Sequence, residues 1–175
     1  MIQSGVNTWL WPGVSCPQRL VVIDRGHVVA QGPIFEVLSD PAAFRHLGVR
    51  AAGALLQAEV AAHGPDGITT LRVGKGQLEV PEMSDPIGST VRLRVRASDV
   101  LVSLRRPEGL SARNVLDARI VALHAGAGPG QLAVLDIGAG RLLARLTKRS
   151  VEDLGLVPGA RCFAVVKTLS GFGAV

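Results

Sequence analysis

Gly109-Leu110-Ser111-Ala112-Arg113-Asn114 leads the apolar run Val115–Leu123, and Val165-Val166-Lys167-Thr168 closes the run Arg161–Val166. Between them, Leu146-Thr147-Lys148-Arg149-Ser150 closes Arg141–Leu146 and enters Val151-Glu152-Asp153-Leu154-Gly155. With Gln131–Ile137 these are four strand-length apolar runs. They are separated by Gly126-Ala127-Gly128-Pro129-Gly130, by Gly138-Ala139-Gly140 and by the insert Ser150–Pro158. Short apolar runs broken by glycine turns predict a small antiparallel β-module. Each polar cluster joins hydroxyls to fixed positive charge at a strand edge. If the strands pair, Ser111, Arg113, Thr147, Ser150, Lys167 and Thr168 can gather at one sheet end as a site rich in donors and poor in acceptors. Such a site suits a small dianion, because charge-assisted hydrogen bonds are the strong kind and backbone amides at element ends add to them. The same residues also have ordinary uses. Ser150-x-x-Asp153 reads as a capping box before a one-turn helix ended by Gly155. Thr147 is a common strand residue, and Arg113 and Lys167 can be solvated charges.

Upstream, the pattern repeats. Leu55–His63, Ile68–Val73 and Gln77–Val80 are strands separated by Gly64-Pro65-Asp66-Gly67 and Gly74-Lys75-Gly76. Thr90–Ala97 alternates, with Val91, Leu93 and Val95 on one face and Arg92, Arg94 and Arg96 on a solvated one. Ser98-Asp99 turns into Val100–Leu104, and Arg105–Gly109 connects the halves. Five short strands predict a small barrel of the OB type, and the two halves read as a loose internal repeat of one β-module.

The front of the chain differs. Met1–Gln18 shows no period and is read as an irregular lead-in. Leu20–Asp24 and His27–Gln31, joined by Arg25-Gly26, predict a hairpin. Gly32-Pro33 and Asp40-Pro41 open two short helices, Ile34–Ser39 and Ala42–Leu47. Phe172–Val175 is expected to fray.

Composition narrows the function. Of 175 residues, 47% are hydrophobic and 19% charged, which describes a globular chain with a real core. No apolar run is long enough to span a membrane, and no basic segment leads an apolar core as in a secretory signal. Cys16 and Cys162 lack metal-site spacing, and His27, His46, His63 and His124 are scattered, so no metal ligands are assigned. A reduced, cytoplasmic setting is expected. The net charge of +5 lies wholly in residues 105–175, which hold ten Lys/Arg against five Asp/Glu. That region has only Phe163 and Phe172 as aromatics, too few for base stacking, so nucleic acid is not the expected partner. No nucleophile–base or carboxylate pair stands out, so no catalytic residue is assigned.

Ser-Ala-Arg-Asn before a strand, Leu-Thr-x-x-Ser before a short helix, Leu-Gly-Leu-x-Pro-Gly, and a closing strand ending Val-Lys occur in this order across Ser111–Ser170. Together they resemble the Mop domain, the molybdate- or tungstate-binding version of the TOBE module. The resemblance implies Ser111, Arg113, Thr147, Ser150, Lys167 and Thr168 as oxyanion contacts. It also implies sites between modules, and hence a homodimer or higher oligomer. Residues 51–106 are similar to the TOBE half that precedes a Mop segment. Val-Val-Ile-Asp-Arg-Gly-His-Val-Val-Ala-Gln-Gly-Pro, with Phe-Glu-Val-Leu and Asp-Pro after it, is similar to the end of an ABC transporter nucleotide-binding domain. The implied organisation is an irregular lead-in (1–18), an ATPase-domain remnant (19–50), a first TOBE-like module (51–106) and a Mop domain (107–175). The expected fold is mainly β, with OB-like small barrels after a hairpin-plus-helix remnant.

An ABC ATPase needs a phosphate-cradling GxxxxGK[ST] loop, a Mg²⁺-holding Asp with an adjacent Glu, and a signature loop. None is in this sequence; after Gly48 to Gly53 come Ala54-Leu55, where Lys and Ser/Thr would be needed. No ATP binding or hydrolysis by this chain is expected. The resemblance implies a cytoplasmic oxyanion-binding regulatory module of a molybdate importer ATPase. Through the ATPase domain such a protein meets the importer's membrane subunit, peripheral to the inner membrane. The alternative is a purely structural dimerisation wing with no working anion site.

Overall fold

A computed structural model describes residues 19–33, 37, 53–125, 129–168 and 173–174. The fold is mainly β, of the OB-like kind expected. The two helices expected within residues 34–47 lie outside the described residues, apart from the helical, buried Val37.

The first hairpin joins β1 (Arg19–Asp24) to β2 (His27–Pro33). Both turn residues have positive φ, 48° at Arg25 and 81° at Gly26, the handedness that matches the twist of a two-residue hairpin. Arg25 bears a left-handed conformation that Asn would take more readily, which is why Arg-Gly is a weak signal in sequence.

Two five-stranded sheets follow. One is built from β3 (Gly53–His63), β4 (Ile68–Val73), β5 (Gly76–Pro81) and β6 (Thr90–Arg96). The other uses β8 (Asn114–Ala125), β9 (Gly130–Asp136), β10 (Arg141–Thr147) and β11 (Arg161–Val166). The pairings correspond strand for strand, in the orders β6-β3-β4-β5 and β11-β8-β9-β10. Even the irregularities match, with register shifts at Val60/Ala62 in β3 and Ile120/Ala122 in β8. An extra residue bends a strand and lets a short sheet curl.

Each sheet takes its fifth strand from the other half of the chain. β7 (Val100–Ser103) follows β6 but pairs with β11. β12 (Gly173–Ala174) follows β11 but pairs with β6, Gly173 facing Arg94. The expected frayed end is thus corrected at Gly173-Ala174, which complete a sheet edge. β7 lies before Arg106 in sequence and belongs to the second sheet in space.

The exchange produces one core. Leu56, Val60, Leu71 and Leu93 from the first sheet share a buried cluster with Ile120, Leu135, Leu142 and Ala164 from the second. A 3₁₀ turn, Ala97–Asp99, carries buried Ala97 against Leu132, Val134 and Leu143. β9 and β10 are therefore covered on both faces and read as continuous apolar runs rather than alternating ones. The tips of two hairpins also meet. A Cβ built on Gly74 would come 2.5 Å from the Cβ of Ala139, so glycine is required there by close approach as well as by its φ of +57°.

Candidate functional site

The site begins where β8 meets β11. Val166 faces Asn114 in the register, so Lys167 and Thr168 run alongside Arg113 and Ala112, with Ser111 one residue beyond. Val166 also faces Val100 of β7. Four of the six residues singled out by sequence, Ser111, Arg113, Lys167 and Thr168, therefore lie at one end of the second sheet.

Thr147 and Ser150 lie elsewhere. Thr147 faces Gly130 of β9, and the next residue, Gln131, faces Ala125 at the far end of β8. The 12 residues of β8 separate the two groups by roughly 40 Å of chain at about 3.4 Å per residue. Within one chain, the register gathers two of the three clusters at one sheet end and puts the third at the other.

Thr147 is the N-cap of the short helix α1 (Lys148–Asp153), its Oγ1 accepting from the Ser150 amide at 3.0 Å. This corrects Ser150 as the cap: Ser150 is the third helical residue, the position whose amide a capping hydroxyl normally satisfies. The Thr147 and Ser150 hydroxyls are 2.7 Å apart. One proton is used between them and the other remains for a ligand. The helix ends as its Leu-Gly sequence implies. Gly155 at φ +58° donates to the Glu152 carbonyl, and Leu156 donates to that of Val151, the two bonds of a Schellman end.

At the β8 end, Thr168 is buried and its Oγ1 has no hydrogen-bond partner among the described residues. Leaving a buried hydroxyl unpaired is costly, so an acceptor or donor supplied from outside fits this position. Lys167 and Ser111 are exposed and bond to no described residue. Arg113 is 70% exposed but not free. Its Nε donates to Glu79 Oε2, and its Nη2 to Oε1 at 2.9 Å. The hydrogen bonds and charge of Glu79, with Asp66 adding slightly, push the guanidinium pKa further up, so it stays charged.

Sequence reasoning missed the group that fixes this pair. Asn114 is buried, and its amide bonds both backbone groups of Glu79. Oδ1 accepts from the Glu79 N–H at 2.6 Å and Nδ2 donates to the Glu79 carbonyl at 2.8 Å. β5 is the edge of the first sheet, and this side chain pairs with it as a neighbouring strand would. Asn114 thereby ties the two sheets together beside Arg113. Both residues line a cleft of about 430 Å³ between the sheets, with Lys75, Arg106 and Asp117 also on its wall. Arg106 lies over the Phe163 ring, 6.0 Å from its centre.

Among known families, residues 110–168 match the TOBE domain, and Ser111, Arg113, Thr147, Ser150, Lys167 and Thr168 lie within that span. Most of the chain, 86% of it, matches the C-terminal part of the molybdenum import ATP-binding proteins ModC. It is 38% identical to the protein of Mesorhizobium japonicum over 156 residues, covering 86% of this chain and 41% of the relative. It is 40% identical to that of Rhodospirillum rubrum over 159 residues, covering 86% of this chain and 42% of the relative. The chain thus spans about two-fifths of the length of these relatives. Among solved structures it resembles the cytoplasmic molybdate-binding protein ModG, in a form with molybdate bound. The TM-score is 0.60 at 25% identity, over 66% of this chain and 91% of that one.

Proposed function

We propose that this chain is the oxyanion-binding regulatory part of a molybdate importer ATPase and that it binds molybdate or tungstate without hydrolysing ATP. The observation that carries this reading is the end of β8. Arg113 and Lys167 supply fixed positive charge there, and Ser111 and the Thr168 hydroxyl, unpaired among the described residues, supply neutral donors. Molybdate is a tetrahedral dianion at neutral pH with no proton of its own, so a set of donors satisfies it. A protonated phosphate would bring a hydrogen that the charged donors cannot accept, leaving only the hydroxyls and the Glu79 carboxylate to meet it. Sulfate carries the same charge, so discrimination against it falls to cavity size.

Thr147 and Ser150 offer a second, smaller set of hydroxyls at the opposite end of the sheet. Their separation from Arg113 supports a site completed between modules of two copies, Thr147 and Ser150 of one meeting Lys167 and Arg113 of the other. Residues 19–50 are read as the end of an ATPase domain, through which the full-length protein would meet the importer's membrane subunit at the cytoplasmic face. The described hairpin is compatible with that reading, and among the described residues no helix is long and apolar enough to cross a membrane.

Calorimetric titration of the whole chain with molybdate tests the proposal. Saturable heat is expected, with Lys167→Ala weakening affinity by about ten- to a hundredfold through loss of a charged donor. Absence of heat at millimolar molybdate, with a stable dimer indifferent to oxyanion on size exclusion, would favour the structural wing instead.

A further inference from the structure

The donor set contains one group that does not belong in it. Glu79 is acceptor-only when ionised, as the dianion is, and it occupies the face of Arg113 formed by Nε and Nη2. It comes from β5, in the other sheet, and its backbone is fixed in place by Asn114. Its carboxylate thus stands where an incoming oxyanion would make its bidentate contact. We propose that Glu79 is an internal competitor for the oxyanion at Arg113 and so sets the affinity of the site; this rests on the oxyanion-binding reading above.

An arriving dianion has two routes. It can displace the carboxylate and take the same guanidinium face, or it can take the remaining N–H groups of Arg113 with the Glu79 charge alongside. The first route costs the Arg113–Glu79 ion pair and the second adds like-charge repulsion. In both, neutralising Glu79 strengthens binding, but only competition for the guanidinium face makes that gain depend on Arg113; simple repulsion would persist without it. The opposite role, in which Glu79 holds Arg113 ready for the ligand, predicts the opposite sign. Because Asn114 grips only the backbone of Glu79, a change of the carboxyl group leaves that tie between the sheets intact.

The test is calorimetric titration of the full chain with sodium molybdate at low salt, comparing wild type, Glu79→Gln and Glu79→Ala, alone and combined with Arg113→Gln. The expected result is a dissociation constant about two- to fivefold lower in either Glu79 variant, the scale of an exposed ion pair, with little gain when Arg113 is absent. Added salt should shrink the difference between wild type and Glu79→Gln. Unchanged or weaker binding by both Glu79 variants, with wild type still binding, overturns this inference alone. A gain that persists without Arg113 also overturns it. No binding by any folded form overturns the oxyanion reading and this inference together.

Discussion

Replacing Asn114 with alanine removes a side chain that is 1% exposed and both hydrogen bonds it makes to the Glu79 backbone, 2.6 and 2.8 Å long. Each is worth about 0.5–1.5 kcal/mol net, and the half-buried N–H and carbonyl left behind lose their partner. The loss therefore comes to roughly 2–3 kcal/mol. For a chain of this size, each kcal/mol lowers the melting temperature by about 2–4 °C, so a fall of roughly 4–12 °C is expected. Thermal unfolding followed by circular dichroism reads this directly. Asn114→Asp is the sharper control: it keeps an acceptor for the Glu79 amide but places a carboxylate against the Glu79 carbonyl and beside its carboxylate. It should be no more stable than Asn114→Ala. A melting temperature within about 1 °C of wild type for Asn114→Ala would refute the claim that this amide joins the two sheets.

Four further outcomes follow from the same geometry. Thr168→Val replaces a buried hydroxyl that lacks a described partner with a methyl of the same shape; it should hold or raise stability by up to about 1–2 kcal/mol while weakening molybdate binding, read by melting and titration. Thr147→Ala removes the cap of α1 and should cost about 1 kcal/mol, whereas Thr147→Ser should cost far less, both measured in urea. Gly74→Ala meets Ala139 and strains a left-handed φ, a cost of about 1–3 kcal/mol. Adding Ala139→Gly should recover the steric part only, as a double-mutant cycle would report. Burial pushes the Cys162 thiol pKa up, so in a Cys16→Ser background alkylation at mildly alkaline pH should be slow until the chain unfolds. Because the folded pKa is raised, the unfolded thiol loses its proton first, and stability should fall as pH climbs past the ordinary thiol value.

Local signals made most of the strands legible. Val91, Leu93 and Val95 alternate with arginines and are buried as a face. The breaks at Gly64–Gly67, Gly74–Gly76 and Gly138–Gly140 fall where the chain turns. The internal repeat was also readable, and the matching strand orders confirm it. What could not be read were the long-range pairings. Nothing local to Val100–Ser103 or Gly173-Ala174 says which sheet they will join, and the two halves exchange them. The helix cap is ambiguous in sequence because Thr147-x-x-Ser150 and Ser150-x-x-Asp153 both fit cap chemistry; the choice depends on where β10 ends. At the candidate site, the donors were legible as residue types beside strand edges. The acceptor of Arg113 was not: Glu79 lies 34 residues away, on a strand where a charged residue reads only as a solvent-facing position. Asn114, adjacent to Arg113, reads as a strand-leading polar residue until β5 is seen beside it.

The most direct measurement of the central claim counts molybdenum retained per chain after gel filtration, by elemental mass spectrometry, for wild type and for Arg113→Gln/Lys167→Ala. The account predicts molybdenum bound to wild type and lost from the double variant, with the melting temperature of the unliganded chains little changed. Equal retention by both proteins would contradict it.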